Sequence, residues 1–301
     1  MNDSTPEHMH IPWHLDMLGR WISNNPQFWI RMGNAETRLL SDKLEDIRIE
    51  KPIFICGLAR AGTTAKLIEI AAQPGFTSHR YEDFPFLFTP YWWNTLLKLA
   101  PRKKQALRER AHGDGIMITP QSPEAFEEMI WMAFFDHLHD TNRSAVLDEH
   151  TSNPAFEQFF KDHIKKLLLV RGAKRYVAKN NYNITRIAYL KKLFPDAEFI
   201  VPTRDKESHV ASLMRQHERF CRAAKANPRT VRHMAQVGHF EFGPNRRPIH
   251  VGDQATIDHI LTLWQSGNEK EGWEAYWEMI NRWAHSQTPK EYQITMEYFK
   301  T

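Results

Sequence analysis

The stretch Pro52-Ile53-Phe54-Ile55-Cys56-Gly57-Leu58-Ala59-Arg60-Ala61-Gly62-Thr63-Thr64-Ala65-Lys66-Leu67-Ile68-Glu69-Ile70 decides the fold. Its apolar run from Ile53 to Cys56 is too short for a helix and β-branched in character; it stops at Gly57, and a glycine-bounded loop then feeds a helix from near Thr63. Strand, loop and helix in that order predict an anion seat, because free N–H groups and the positive end of the helix dipole meet there. Gly57 and Gly62 have the spacing of G-x-x-x-x-G-K-[ST], but Thr63 stands where lysine belongs and only Thr64 agrees. The cation that would reach a β/γ-phosphate is missing, while Arg60 stands two residues before the second glycine. Such a loop suits a 5′-monophosphate carrying a further anion better than it suits ATP.

Outward from the loop, composition sets bounds. A chain of 301 residues with 42% apolar and 12% aromatic content buries a full core and is globular. The first ten residues show no basic-then-apolar leader, and no stretch is apolar enough to span a membrane, so a cytoplasmic protein is expected. Cys56 and Cys221 lie far apart and give no disulfide framework. A net charge of +4 permits a polyanion ligand without pointing to one.

Residues 11–48 read as a helical cap broken at Pro26, with Trp13, Trp21 and Trp29 packing against the sheet layer. After the first helix, Pro74-Gly75 marks a turn, and the acidic pair Glu82 and Asp83 falls near the phosphate loop. Residues 84–93, rich in aromatics and broken by two prolines, read as neither helix nor interior strand, filling core or walling an acceptor pocket. Residues 101–111 read as a basic, solvated helix ahead of the turn His112-Gly113-Asp114-Gly115, and Ser122-Pro123-Glu124 as the capped start of another helix. His137-Leu138-His139-Asp140 lacks further ligands at a convincing spacing, so no metal is expected. Residues 145–148 are a strand candidate and 156–169 a helix.

Residues 175–179, 184–194 and 198–203 then read as strand, helix and strand, a parallel βαβ unit. Lys179 and Arg204 stand at the carboxyl ends of those strands, where open α/β sheets gather their functional residues. Residues 215–247 read as a basic mobile segment covering an anionic ligand, 254–284 as helix with Trp273 and Trp277 in the core, and 292–296 as a last strand.

Two of these stretches together resemble the sulfotransferases that use 3′-phosphoadenosine 5′-phosphosulfate (PAPS). Arg60-Ala61-Gly62-Thr63-Thr64 after a strand is similar to their 5′-phosphosulfate loop, usually [KR]-S-G-T-T, with Ala61 replacing serine. Arg204 ending a strand, with Ser212 eight positions on, is similar to their 3′-phosphate motif, with Lys206 where proline is common. Lys179 resembles a strand-end lysine of the tyrosylprotein and bacterial branch, although Asn181 replaces the usual proline. The likeness covers roughly residues 45–215. Residues 295–299 resemble a weakened Tyr-Glu-Asp-Leu strand; the family usually continues with further helices there, so C-terminal truncation is expected.

The resemblance implies an α/β fold with a P-loop-like parallel sheet flanked by helices: a single domain with a helical N-terminal extension (1–50), a nucleotide-binding core (51–215) and a covering segment with helices (216–301). It implies PAPS as co-substrate, no metal, and contacts from Arg60, Ala61, Gly62, Thr63, Thr64, Arg204 and Ser212. Arg60 and Lys179 are the candidates for neutralising the leaving phosphate; Glu82 is the candidate base, ahead of Asp83 and His112. The expected partner is a hydroxyl-bearing acceptor, with a glycan favoured and neither nucleic acid nor a membrane span. A P-loop kinase would need lysine at Thr63. A noncatalytic polyanion or nucleic-acid binder would instead place its affinity in residues 102–110 and 215–247, with a steep salt dependence.

Overall fold

The computed structural model describes residues 11–99, 107–110, 112–287 and the backbone of 294–298. Three helices open the chain, α1 (Trp13–Asn24), α2 (Pro26–Leu39) and α3 (Ser41–Glu45), with Pro26 at the first turn of α2, where its missing N–H costs nothing. Then come β1 (Ile53–Ile55), α4 (Thr63–Ala71), β2 (Phe76–Thr77), α5 (Pro90–Leu99), β3 (Arg108–Glu109), β4 (Met117–Ile118) and α6 (Glu127–Phe134). They are followed by α7 (Pro154–Arg171), β5 (Arg175–Lys179), α8 (Ile187–Leu193), β6 (Glu198–Thr203), α9 (Lys206–Ala226), α10 (Pro228–Gln236), α11 (Gln254–Gln265), α12 (Glu269–Ser286) and β7 (Ile294–Tyr298).

The main sheet runs β2-β5-β1-β6-β7 with every pairing parallel. β5 and β6 are therefore not neighbours: β1 lies between them, Phe54 facing Ala178 on one side and Phe199 on the other. Both faces of the sheet are covered, which is why β1 reads as unbroken Ile-Phe-Ile instead of alternating. Ile53, Ile55 and Val177 pack with Leu67 and Ile70 of α4, whereas Phe54, Tyr176 and Phe199 join the larger core with α7 and α8. No helix among the described residues is long and apolar enough to cross a membrane.

α7 is fixed at both ends by its own sequence. The Asn153 side chain accepts from the Phe156 N–H at 3.1 Å, Pro154 occupies the first turn, and Gly172 closes the helix at φ 61°. Asn153→Ala is expected to lower stability by about 1 kcal/mol, a fall of roughly 2–4 °C in Tm by calorimetry.

Several local expectations are corrected. Trp29 is buried, but Trp13 and Trp21 face outward. The aromatic stretch 84–93 divides, because Pro90 begins a helix instead of breaking one. The part of 101–111 within the described residues is not helical: Arg108–Glu109 pairs antiparallel with Met117–Ile118, since Gly113 and Gly115 adopt positive φ and turn the chain back. The helix expected from Ser122 starts only at Glu127, because Pro123 bridges to Arg80 and the Ser122 hydroxyl accepts from Thr119 N–H. Residues 145–148 form no strand; Ala145 and Leu147 donate singly to the His250 and Thr185 carbonyls. The strand expected at 292–296 lies at Ile294–Tyr298, beside β6.

Candidate active site

The loop between β1 and α4 takes its shape from residues at positive φ: Gly57 (117°), Arg60 (70°) and Gly62 (96°). A side chain at Gly62 would be strained there, and no side chain caps the N-terminus of α4, so its first-turn N–H groups remain for an anion. The loop is pinned from outside. The His209 ring of α9 bonds the Ala59 carbonyl at 2.8 Å, and Trp277 Nε1 of α12 donates to His209 Nδ1 at 3.1 Å. Burial holds the His209 pKa down at about 4, so the ring is a neutral relay from α12 to the loop. Trp277 was expected simply as core.

A carboxylate already sits beside this loop. Arg60 Nη1 donates to Asp114 Oδ2 at 2.7 Å, and Arg110 Nε donates to Asp114 Oδ1 at 2.9 Å, with a second contact from Nη2. Burial opposes the charge on Asp114, yet Arg110 and Arg60 hold its pKa well below the carboxylate range. Arg110 Nη1 also donates to Thr64 Oγ1 at 3.1 Å, so the two arginines converge on an anion next to Thr64. Arg110, assigned by sequence to a solvated face, is only 5% exposed. The turn glycines after it were the signal that the helical reading passed over.

Arg60 also joins the second motif. Its Nε donates to Ser212 Oγ at 3.4 Å, while Arg204 Nε donates to Ser208 Oγ at 3.2 Å. Burial, then Arg60 and Arg215, lower the Arg204 pKa, as expected where cations gather without enough carboxylates. Arg60, Arg204 and Ser212 thus cluster where β1, β6 and α9 meet.

Next to the cluster opens a cavity of about 420 Å³. Its polar end carries Arg60, Thr63, Thr64, Arg110 and Lys179; Glu82, His112, Glu124, His239 and Glu241 also line it. Lys179 ends β5 with 9% exposure, and burial lowers its pKa against the pull of Glu241 and Glu124. Burial also works against the Glu241 carboxylate, but His239, Lys179 and the Asn181 amide outweigh it and hold the pKa at about 2. Burial, with Arg110 and His239, keeps the His112 imidazole neutral at ordinary pH, its Nδ1 without a hydrogen-bond partner among the described residues. Leu15, Phe84, Phe126, Phe220, Met234 and Phe242 supply much of the apolar wall.

The adjacent acids Glu82 and Asp83 are separated by the 3-10 turn Tyr81–Asp83. Glu82 faces the cavity with Arg80 at 3.5 Å. Asp83 does not line it: 2% exposed, it accepts from Arg171 at 2.6 Å and from Asn94 at 3.1 Å. The basic segment 215–247 contributes no arginine to the cavity lining; its share of the wall is Phe220 and residues of 230–242, including His239 and Glu241. Arg246 instead pairs with Glu269 at 2.6 Å and lies over Trp264. Among the described residues no group of three or more His, Cys, Asp or Glu is arranged around a metal site.

Residues 52–242 match the profile of the sulfotransferase family. Two solved structures resemble the chain distantly. Sulfotransferase STF1 from Mycobacterium tuberculosis H37Rv shares 14% identity at a TM-score of 0.39, covering 85% of this chain and 76% of that one. Sulfotransferase STF9 from Mycobacterium avium shares 14% identity at a TM-score of 0.39, covering 92% and 82%. No curated protein matches the chain.

Proposed function

The chain belongs to the sulfotransferase family, and from that premise we propose that it moves the sulfuryl group of PAPS onto the hydroxyl of an acceptor with a largely apolar body. The observation that carries the reading is the seating of one anion, Asp114, between Arg60 and Arg110 beside the uncapped start of α4, with Ser212 linked to that point through Arg60 and Arg204 close enough to Arg60 to feel its charge. A carboxylate stands there for the kind of group a phosphosulfate presents, and the donor's two phosphates need the two cation groups the chain supplies. PAPS supplies the activated sulfuryl group and leaves as adenosine 3′,5′-bisphosphate.

The chain's own residues have three tasks in this reading. The α4 N–H groups and Thr64 hold the 5′ end, while Arg204 and Ser212 hold the 3′-phosphate. Lys179 and Arg60 neutralise charge on the leaving side, and Glu82 takes the acceptor proton. Where the sequence favoured a glycan, the Phe84, Phe126, Phe220, Met234 and Phe242 wall favours an apolar alcohol or phenol.

Calorimetry with adenosine 3′,5′-bisphosphate tests the donor half. Wild type is expected to bind, and Arg204→Ala to bind about 10- to 100-fold more weakly, the loss of one charge-assisted contact. No binding by wild type would remove the reading. Turnover of labelled PAPS with matched apolar alcohols and oligosaccharides tests the acceptor half, and faster transfer to the sugars would return the acceptor to a glycan.

A further inference from the structure

α1 has two faces with different fates. Gly19 lies so close to α10 that a β-carbon there would meet Gln236 Oε1 at 2.5 Å, and Asp16 takes Arg232 at 2.9 Å. The helix is therefore seated firmly on α10. An adjoining face carries Trp13, Met17 and Trp21 at four-residue steps, 63%, 58% and 46% exposed. Phe28 of α2, 45% exposed, extends the strip, its ring 5.6 Å from Trp21. Large side chains bared in a row on a rigid helix mark a docking face, since the same residues scattered singly would need no account.

The charges beside the strip identify the occupant. Arg20 is exposed on the same helix, and Arg232 and Arg229 stand close enough, with Arg20, to lower the pKa of Asp16. Arg20, three residues after Met17, borders the strip, and with Arg232 and Arg229 it sets three arginines against one carboxylate, itself 6% exposed, on the Asp16 side of the helix. Tryptophan with arginine along one helix face is the pattern that lies in the headgroup layer of a membrane, the rings at the acyl boundary and the cations on anionic phosphates. Leu15 of the same helix, with Ile11 and Pro12 just before it, lines the cavity.

We propose that this face docks on an anionic membrane surface, holding the cavity close to the headgroup layer. The docking stands on α1 and its charges alone and does not depend on the transfer chemistry.

Flotation with phosphatidylcholine vesicles, with and without about a third phosphatidylglycerol, tests it. The wild-type chain is expected to float with the anionic vesicles and to be released as salt rises. Trp13→Ser/Trp21→Ser is expected to lower the partition coefficient about tenfold or more, and Arg20→Glu comparably. All these side chains are exposed, so unchanged far-ultraviolet dichroism and unchanged bisphosphate affinity show that the variants remain folded. Three results would overturn the proposal: no flotation of wild type at low salt; equal flotation of wild type and the tryptophan double variant; or a wild-type dimer that the double variant converts to monomers while neither form floats, which would make a second copy the occupant.

Discussion

Lys179→Ala is expected to lower the single-turnover rate of sulfuryl transfer by about 10³- to 10⁴-fold while changing bisphosphate affinity far less. The reason lies in the position of the ammonium. β5 ends at Lys179 inside a parallel sheet, directly beside the central strand β1, where Ile55 pairs with it in register. The side chain is 9% exposed and lines the cavity, with no hydrogen-bond partner among the described residues that would have to be broken first. A charge held in that way is worth more to a developing anion than the same charge in water, and it needs no reorganisation during reaction. Two carboxylates, Glu241 and Glu124, pull its pKa up against burial, and neither forms a salt bridge with it among the described residues.

The pH dependence follows with a definite sign. Burial lowers the Lys179 pKa, and the proposed role needs the protonated form, so the rate is expected to fall on the alkaline side earlier than for an ordinary lysine. Lys179→Met separates charge from stem: it keeps the apolar contacts, so a rate close to wild type would show that the ammonium has no part in the step. A fall of less than tenfold in Lys179→Ala, measured with folded protein at saturating PAPS, would have the same meaning.

The parts of this site that were legible in the sequence are the local ones. Glycines at Gly57 and Gly62 announced backbone that only they adopt freely, and the apolar runs at 53–56 and 198–203 announced buried strands, so Arg60 and Thr64 could be placed in the loop and helix start after the first strand, and Lys179 and Arg204 at strand ends. What remained hidden depends on pairing at a distance. Nothing in residues 175–203 says that β1 inserts between β5 and β6, because that order is set by packing on both sheet faces. Arg110 and Asp114 were hidden for a related reason: the basic composition before them favours a solvated helix, and only the return of Met117–Ile118 beside Arg108–Glu109 carries Arg110 inward to Thr64. His239 and Glu241 come from loop sequence with no motif of its own. The outward Trp13 and Trp21 show that an apolar residue on a helix does not by itself say which side will be covered.

Glu82→Gln is expected to lower the transfer rate by about 10³-fold and to leave bisphosphate binding intact, because a general base contributes roughly 10²- to 10⁴-fold and makes no contact with the donor. The backbone around it is held at both its N–H and its carbonyl. Glu82 N–H donates to the Pro120 carbonyl at 2.8 Å, and Trp93 Nε1 donates to the Glu82 carbonyl at 2.7 Å, leaving the side chain to the cavity with Arg80 as a loose partner at 3.5 Å. Asp83 carries the same charge one residue on, but Arg171 and Asn94 hold it in a buried network, so Asp83→Asn is expected to lower stability and not the chemical step of the folded protein. Two rivals remain on the cavity wall. His112 is kept neutral by burial with one ring nitrogen unpartnered, and Glu124 is held ionised by Arg110 and Lys179 against burial. The pH–rate profiles distinguish the three: if Glu82 is the base, its glutamine variant loses the acid limb, whereas His112→Ala and Glu124→Gln keep it. Retention of that limb in Glu82→Gln, together with its loss in either of the others, would move the proton transfer to that residue.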